Sequence, residues 1–302
     1  MDRLEAMSAL LAAVETGSLS AAGRKLGMPL PTVSRKISEL ETHLNTRLLV
    51  RSTRRLSLTD AGSSYVSACR NILDQVGEAE RAAAGEFINP VGDLVVAAPI
   101  VFGRLHVLPS VVEFLAAFPS INVRLLLSDR NTDLIDEHID VAIRIGSLPD
   151  SGLVATHVGD VHRVVCASPA FLSAHGAPKA PSDLPRLSCI TFEGLGSRNM
   201  WTFARKNSKS PLTIAMEPRL SVTTAEAAID AAISGLGVTQ VLSYQVADRV
   251  EAGQLQIVLR EFQPGSVPVN LVHLGQMRQA RKVRVFLDYL VPRLRQRLRD
   301  PA

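Results

Sequence analysis

Residues 17–44 read GSLSAAGRKLGMPLPTVSRKISELETHL, two helices and the turn that sets their angle. Ser18 or Ser20 can cap the first helix. Its run of small residues, Ala21, Ala22 and Gly23, lets another helix approach closely; Leu26 closes the apolar face and Gly27 supplies the turn. The second helix runs from about Pro29 to Leu44. Val33, Ile37, Leu40 and Leu44 fall on one face at i, i+4, i+7 and i+11, so Pro31, Arg35, Ser38 and Thr42 lie opposite, with Thr32 and Ser34 flanking. Its first exposed turn presents small polar groups and one Arg. A helix that enters the major groove by its N-terminal residues needs this: Arg bonds guanine at two points, and Ser and Thr serve several bases. An ordinary surface helix carries the same pattern, so the neighbouring segments have to decide.

Upstream, Leu4, Met7, Leu10, Leu11 and Val14 recur at helical spacing and predict a helix over 2–16, ended by Gly17. Downstream, Leu48, Val50, Leu56 and Leu58 predict two short strands joined by a turn bearing Arg51, Arg54 and Arg55. A basic hairpin after three helices is a wing, suited to phosphates and a narrow minor groove. Charge agrees. Residues 24–59 hold eight basic and two acidic residues, a local excess of six, while the whole chain of 33 basic and 29 acidic residues is only +4. Such an excess is the footprint of a polyanion partner or a solvated charged face; the helix–turn–helix–hairpin order favours the former.

Gly-Ser-Leu-Ser-Ala-Ala at 17–22, Val-Ser-Arg-Lys-Ile at 33–37 and Arg-Arg-Leu-Ser-Leu-Thr-Asp-Ala-Gly at 54–62 resemble the winged helix-turn-helix of LysR-type transcription regulators. The resemblance implies double-stranded promoter DNA as partner. It implies base contacts around Leu30, Pro31, Thr32, Ser34 and Arg35, and groove or phosphate contacts from Arg51, Arg54 and Arg55. Pro29 stands where the family commonly has Ser; it suits a first helical turn but has no side chain to cap with.

Thr59 or Asp60 can cap a long helix to about Glu86, with Tyr65, Cys69, Ile72, Val76 and Ala79 recurring every three to four residues. It reads as a helix paired with a copy of itself, the alternative being packing on its own domain; in the resembling family this linker dimerises. Cys69 reads as a small apolar group. Residues 87–92 read as a hinge.

From Asp93 strands and helices alternate. Strands are predicted at 93–98, 121–127 and 139–145 and helices at 102–117 and about 131–137, a parallel α/β unit. A second unit has strands near 161–167, 188–192, 219–222 and 237–241 and a helix at 224–235. Strand 269–274 and helix 279–298 then return to the first. The predicted fold class is thus α/β: an all-α-dominated winged helix-turn-helix, then two Rossmann-like lobes resembling periplasmic binding proteins. The domains are 1–58 for DNA, 59–90 for the linker helix and hinge, and 91–302 for effector binding. Lobe I is 91–160 with 266–302, and lobe II is 161–265.

Ala-Ala-Pro-Ile-Val-Phe-Gly-Arg at 97–104, Asp-Val-Ala-Ile-Arg-Ile-Gly at 140–146 and Gly-Leu-Gly-Val at 235–238 extend the resemblance over nearly the whole chain. In the family a small effector lies between the lobes. Carried across, this implicates Pro99, Ile100, Val101, Phe102, Ser128, Arg144 and Gly146 from lobe I, and Phe192, Thr223 and Thr224 from lobe II. Val101 occupies a place where Ser or Thr often binds an anionic effector, and Leu242 replaces a frequent Pro. Arg144 could instead pair with a carboxylate such as Asp140, Thr223 and Thr224 could simply cap a helix, and Trp201 reads as core.

No catalytic set is legible. The seven His have no HExxH spacing, and there is no CxxC, no P-loop and no GxSxG; Gly-Leu-Gly at 235–237 precedes a strand and is a turn. No metal site and no cofactor is expected. Cys69, Cys166 and Cys189 read as free thiols of a reducing compartment. No basic stretch precedes an apolar core at the N-terminus, and no apolar run approaches the roughly 20 residues of a membrane helix, so a soluble, cytoplasmic protein with no membrane partner is expected. The basic helix near the C-terminus reads as a solvated face. The expected function is a DNA-binding regulator, assembled with itself as a dimer or tetramer and controlled by a small organic effector. The rival is a cytoplasmic solute-binding protein or small α/β enzyme with an incidental helical N-terminal domain.

Overall fold

A computed structural model describes residues 1–51, 56–83, 90–130, 133–148, 152–192, 199–205, 208–275 and 280–299. The chain divides into two compact units, Met1–Gly92 with Ile135–His138, and Asp93–Leu134 with Ile139–Ala302.

The first unit opens with α1 (Arg3–Thr16), α2 (Leu19–Leu26) and α3 (Leu30–His43). Asp2 caps α1 by accepting the Glu5 N–H at 3.2 Å, and the Ser18 hydroxyl caps α2 by accepting that of Ala21 at 3.5 Å. Gly17 and Gly27 end these helices at φ +67° and +66°, a conformation that strains a residue with a Cβ. Ala6, Leu10, Ala13, Ala22, Val33, Ile37 and Leu40 share one core, so the stripe predicted for α3 is buried, whereas α1 turns mainly its alanines inward and leaves Leu4 of its predicted stripe 40 % exposed. Strands β1 (Leu49–Arg51) and β2 (Leu56–Leu58) pair antiparallel, Leu49 opposite Leu58. A Glu41 carboxylate oxygen accepts the N–H groups of Leu48 and Leu49 at 2.8 and 3.0 Å, tying the hairpin to the end of α3.

Helix α4 spans Asp60–Ala83. Thr59 is its cap: the hydroxyl accepts the Gly62 N–H at 2.9 Å and donates to the Arg47 carbonyl at 2.7 Å. Val66 and Cys69 are buried, Tyr65 packs on the shared core, and α4 lies against α1. The first half of α4 thus packs on its own domain, the alternative left open above, whereas Ile72 is 40 % exposed.

The second unit holds two five-stranded sheets. Before the first crossing come β3 (Gly92–Ala98), a continuous rod of α5 (Ile100–Phe102), a π-helical turn (Gly103–Val107) and α6 (Leu108–Ala117), then β4 (Ile121–Leu127), β5 (Val141–Ile145) and β6 (Leu153–Val161). Then follow β7 (Arg163–Ala167), α7 (Pro169–His175), β8 (Cys189–Phe192), the hairpin β9 (Met200–Arg205) and β10 (Ser208–Ala215), β11 (Pro218–Val222), α8 (Ala225–Ile233), β12 (Val238–Leu242), α9 (Ser243–Glu251) and β13 (Gln256–Val258). The chain returns through β14 (Val267–Leu274) and ends in α10 (Arg281–Arg299).

Sheet I has the order β4-β3-β5-β14-β6 and sheet II the order β11-β8-β12-β7-β13. They are mixed rather than parallel, which corrects the expectation. β14 runs antiparallel to β5 and β6, and β7 antiparallel to β12 and β13, while β3 with β5 and β8 with its two neighbours are parallel. The cause is the double crossing. β6 leaves sheet I straight into β7, and β14 comes back beside β6 with Val267 opposite Val161, so the two crossing strands start and stop together.

A helix was expected near 131–137. Residues 134–138 form turns instead, closed by the His138 N–H on the Ile135 carbonyl and the Ile139 N–H on the Leu134 carbonyl, at 3.2 and 2.9 Å; residues 131 and 132 lie outside the described part. The 18-residue stretch Ile100–Ala117 is apolar enough by composition to cross a membrane, against the expectation of no such run. Its Phe102, Val107, Val111 and Phe114 are buried in the sheet I core with Val269, Phe286 and Leu290. In β7 alternate residues feed alternate faces. Val164 and Cys166 pack with Ile190 and Ala228, and Val165 and Ala167 with Phe171, Trp201 and Phe203. Trp201 is core, as read.

Candidate DNA interface and effector cleft

The helix predicted from about Pro29 to Leu44 is in place as α3. Leu30 opens α3, 45 % exposed, after Pro29, which gives no side-chain cap. Pro31 and Arg35 are exposed, Thr32 and Ser34 half-buried, and Val33 and Ile37 fully buried beneath them. The opposed faces are those read from the spacing. Arg35 Nη1 meets Glu39 Oε1 at 3.2 Å. An exposed i,i+4 pair of this kind contributes about 0.3–0.5 kcal/mol, so the guanidinium leaves it for another acceptor at little cost. Lys36 pairs with Glu5 and Lys25 with Glu15, so these two cations brace α2 and α3 against α1. Of the wing arginines, Arg51 closes β1, its side chain outside the described atoms, and Arg54 and Arg55 lie outside the described residues altogether.

In the second unit the segment after β3 joins the lobes. Val101 is 2 % exposed and packs in the lobe II cluster with Val164, Ile190 and Phe192. Phe102 is fully buried in the lobe I core and meets the His106 and Tyr244 rings at 4.7 and 5.4 Å. Val101 and Phe102, implicated by the resemblance, are therefore core, and Pro99 and Ile100 are the half-buried members of that loop. Across from them Thr224 caps α8, its hydroxyl accepting the Ala227 N–H at 3.3 Å, while Thr223 is exposed. Arg104 reaches Glu226 in the first turn of α8 at 3.5 Å, so the π-helical turn and the start of α8 face one another. Arg144 and Gly146 are half-buried at the end of β5, the Gly146 N–H on the Pro268 carbonyl at 2.9 Å. Asp140, the carboxylate considered for Arg144, accepts the Val95 N–H at 2.8 Å and staples β3 to β5. Phe192 is 7 % exposed and belongs to the lobe II core.

Two family models cover the chain: bacterial regulatory helix-turn-helix protein, lysR family, over residues 4–63, and LysR substrate binding domain over residues 89–295. The chain belongs to the LysR family of transcription regulators. It is 33 % identical over 291 residues to an HTH-type transcriptional repressor of Pseudomonas aeruginosa, covering 96 % of this chain and 92 % of that one. It is 33 % identical to the HTH-type transcriptional regulator CrgA of Neisseria meningitidis serogroup B, covering 96 % of each. The solved structure of CrgA superposes with a TM-score of 0.62 at 31 % identity, over 96 % of this chain and 98 % of that one. The regulator reading thus stands over the solute-binding or enzyme alternative.

In this LysR-type regulator one cleft group escaped the sequence reading. Asp129, next to the assigned Ser128, accepts the Ile100 N–H at 3.0 Å, and its other oxygen is buried without a partner among the described residues. Burial pushes its carboxyl above the usual range, the Ile100 N–H opposing. From the bend after β4 its carboxylate caps the start of α5, and only its place after Ser128 could have drawn attention to it. The three cysteines are free and buried, and burial lifts the thiols of Cys69 and Cys189 to about 11 and of Cys166 to about 12, so they stay protonated at neutral pH.

Proposed function

We propose that this regulator reads operator DNA with Leu30, Pro31, Thr32, Ser34 and Arg35, and grips phosphate or the minor groove with Arg51, Arg54 and Arg55. The observation that carries the reading is the exposed first turn of α3, with Arg35 projecting over a fully buried Val33 and Ile37. Residues 1–58 would form the DNA-binding domain, 59–90 the linker and 91–302 the effector domain of a cytoplasmic protein. A small organic effector binds between the lobes near Pro99, Ile100, Ser128, Arg144, Gly146, Thr223 and Thr224. Because Asp129 already fills the acceptor place at Ile100, an acceptor group on the effector turns toward the other lobe. Only an effector with unequal affinity for two lobe arrangements changes DNA binding.

Arg35→Ala is expected to cost about 1–3 kcal/mol at a cognate operator and to relax base preference. Fluorescence anisotropy with cognate and scrambled duplexes at fixed salt checks this. Undiminished discrimination would remove Arg35 from the readout.

We propose further that the chain works as a dimer or tetramer joined through the second half of α4. Ile72 is an exposed large apolar residue on a helix whose earlier apolar residues, Val66 and Cys69, are already buried. Ile72→Glu would bury an unpaired charge in that joint, so light scattering should find smaller particles and operator affinity should fall. Unchanged mass and affinity would refute the pairing.

A further inference from the structure

At the first strand crossing the second unit holds a cavity of about 780 Å3, and none of the residues assigned to the effector cleft lines it. Its walls come from both lobes. Leu105 in the π-helical turn and Arg297 and Leu298 near the end of α10 belong to lobe I, Val161 ends β6 at the crossing, and Tyr244 at the start of α9 belongs to lobe II.

The charges around it are unequally satisfied. Glu113 is met by Arg293 Nε at 3.3 Å, and the same guanidinium lies 3.5 Å over the Tyr289 ring. Asp160 is held by His157 Nε2 at 3.2 Å and by the Ser266 hydroxyl at 3.3 Å. Asp248 is exposed and solvated. Arg297 is half-buried, reaches only the Leu105 carbonyl at 3.4 Å, and has no carboxylate partner among the described residues. Partial burial raises what a counter-charge contributes, and a carboxylate can take two N–H groups of one guanidinium at once. His106 brings no second cation, since burial and then the Arg297 charge pull its pKa down to about 4.

We infer that this cavity is a second small-molecule site, for an organic monoanion whose carboxylate meets Arg297 and whose hydrocarbon body lies along Leu105, Val161, Tyr244 and Leu298. Its occupant touches both lobes beside the strands that join them, so it biases their arrangement without entering the effector cleft.

The test is calorimetric titration of the full-length protein with 4-phenylbutyrate and its uncharged amide. Saturable binding of the acid is expected, with the amide at least tenfold weaker. Arg297→Gln should weaken the acid at least tenfold, and Ala247→Phe, which fills the cavity from α9, should abolish it. Arg144→Ala, in the effector cleft, should change it less than twofold. If Ala247→Phe fails to fold, Arg297→Gln, a half-exposed side chain at a helix end, still decides. No saturable binding, an amide as good as the acid, or a loss that follows Arg144→Ala instead of Arg297→Gln would overturn the assignment.

Discussion

Phe114→Ala is expected to lower the free energy of unfolding of the effector domain by about 3–5 kcal/mol, the range for truncating a fully buried aromatic side chain. Phe114 has no exposed surface, and its ring meets those of Phe118 at 4.7 Å, Phe286 at 5.1 Å and Tyr289 at 5.4 Å. Phe286 and Tyr289 belong to α10, so this cluster fastens the last helix of the chain onto α6 near its start. Arg293, stacked on Tyr289 and paired with Glu113, lies at its rim. The substitution therefore removes both transfer energy and the anchor of α10, and the cavity it leaves adds to the cost. Urea unfolding followed by far-UV circular dichroism measures the loss. A change below 1 kcal/mol would mean that α10 is held by its contacts with β6 and that the aromatic cluster is incidental.

How much of this was legible depended on whether the deciding interaction was local. Helix α3 was legible because one spacing, Val33, Ile37 and Leu40, fixed both its buried face and the residues left outside. The return of the chain to lobe I was legible from strand 269–274, but its direction was not. Nothing within β14 or β7 records that each runs against its neighbours; that follows from the adjacent crossings. β6 was missed because Leu153–Val161 shows no clean alternation, lying under α10 at some positions and open at others. The hairpin β9–β10, the helices α7 and α9 and the short β13 were missed for the same reason, being secured by the sheet II core rather than by their own periodicity. In the cleft, the family resemblance pointed to Val101 and Phe102 without saying that they are the packing between lobes. Arg297 and Tyr244, far apart in sequence, meet around one cavity only once the lobes are folded.

Gly62→Ala should disable DNA binding without touching a DNA-facing group. A Cβ on Gly62 would lie 2.0 Å from the Leu48 carbonyl oxygen and 2.8 Å from its carbon, and both are backbone atoms that no rotamer can move aside. Neither partner is free to yield. The Leu48 N–H is held by Glu41 at 2.8 Å, and the Leu48 carbonyl accepts the Thr59 N–H at 3.0 Å. Relief requires either that α4 lift from its Thr59 cap or that β1 pull away from α3, and β1 carries one side of the wing. Overpacking of this severity costs about 3 kcal/mol, the upper end of the usual range. The first unit should unfold at lower urea than the wild type. At concentrations where it is still folded, operator affinity should fall more than tenfold, because the hairpin no longer sits where α3 places it. Ser63→Ala, an exposed neighbour on the same turn, should stay within about 0.5 kcal/mol of wild type. The comparison separates a backbone collision from a general sensitivity of the α4 start. If Gly62→Ala folds as stably as Ser63→Ala and binds the operator normally, the close crossing of α4 over Leu48 is not what positions the wing.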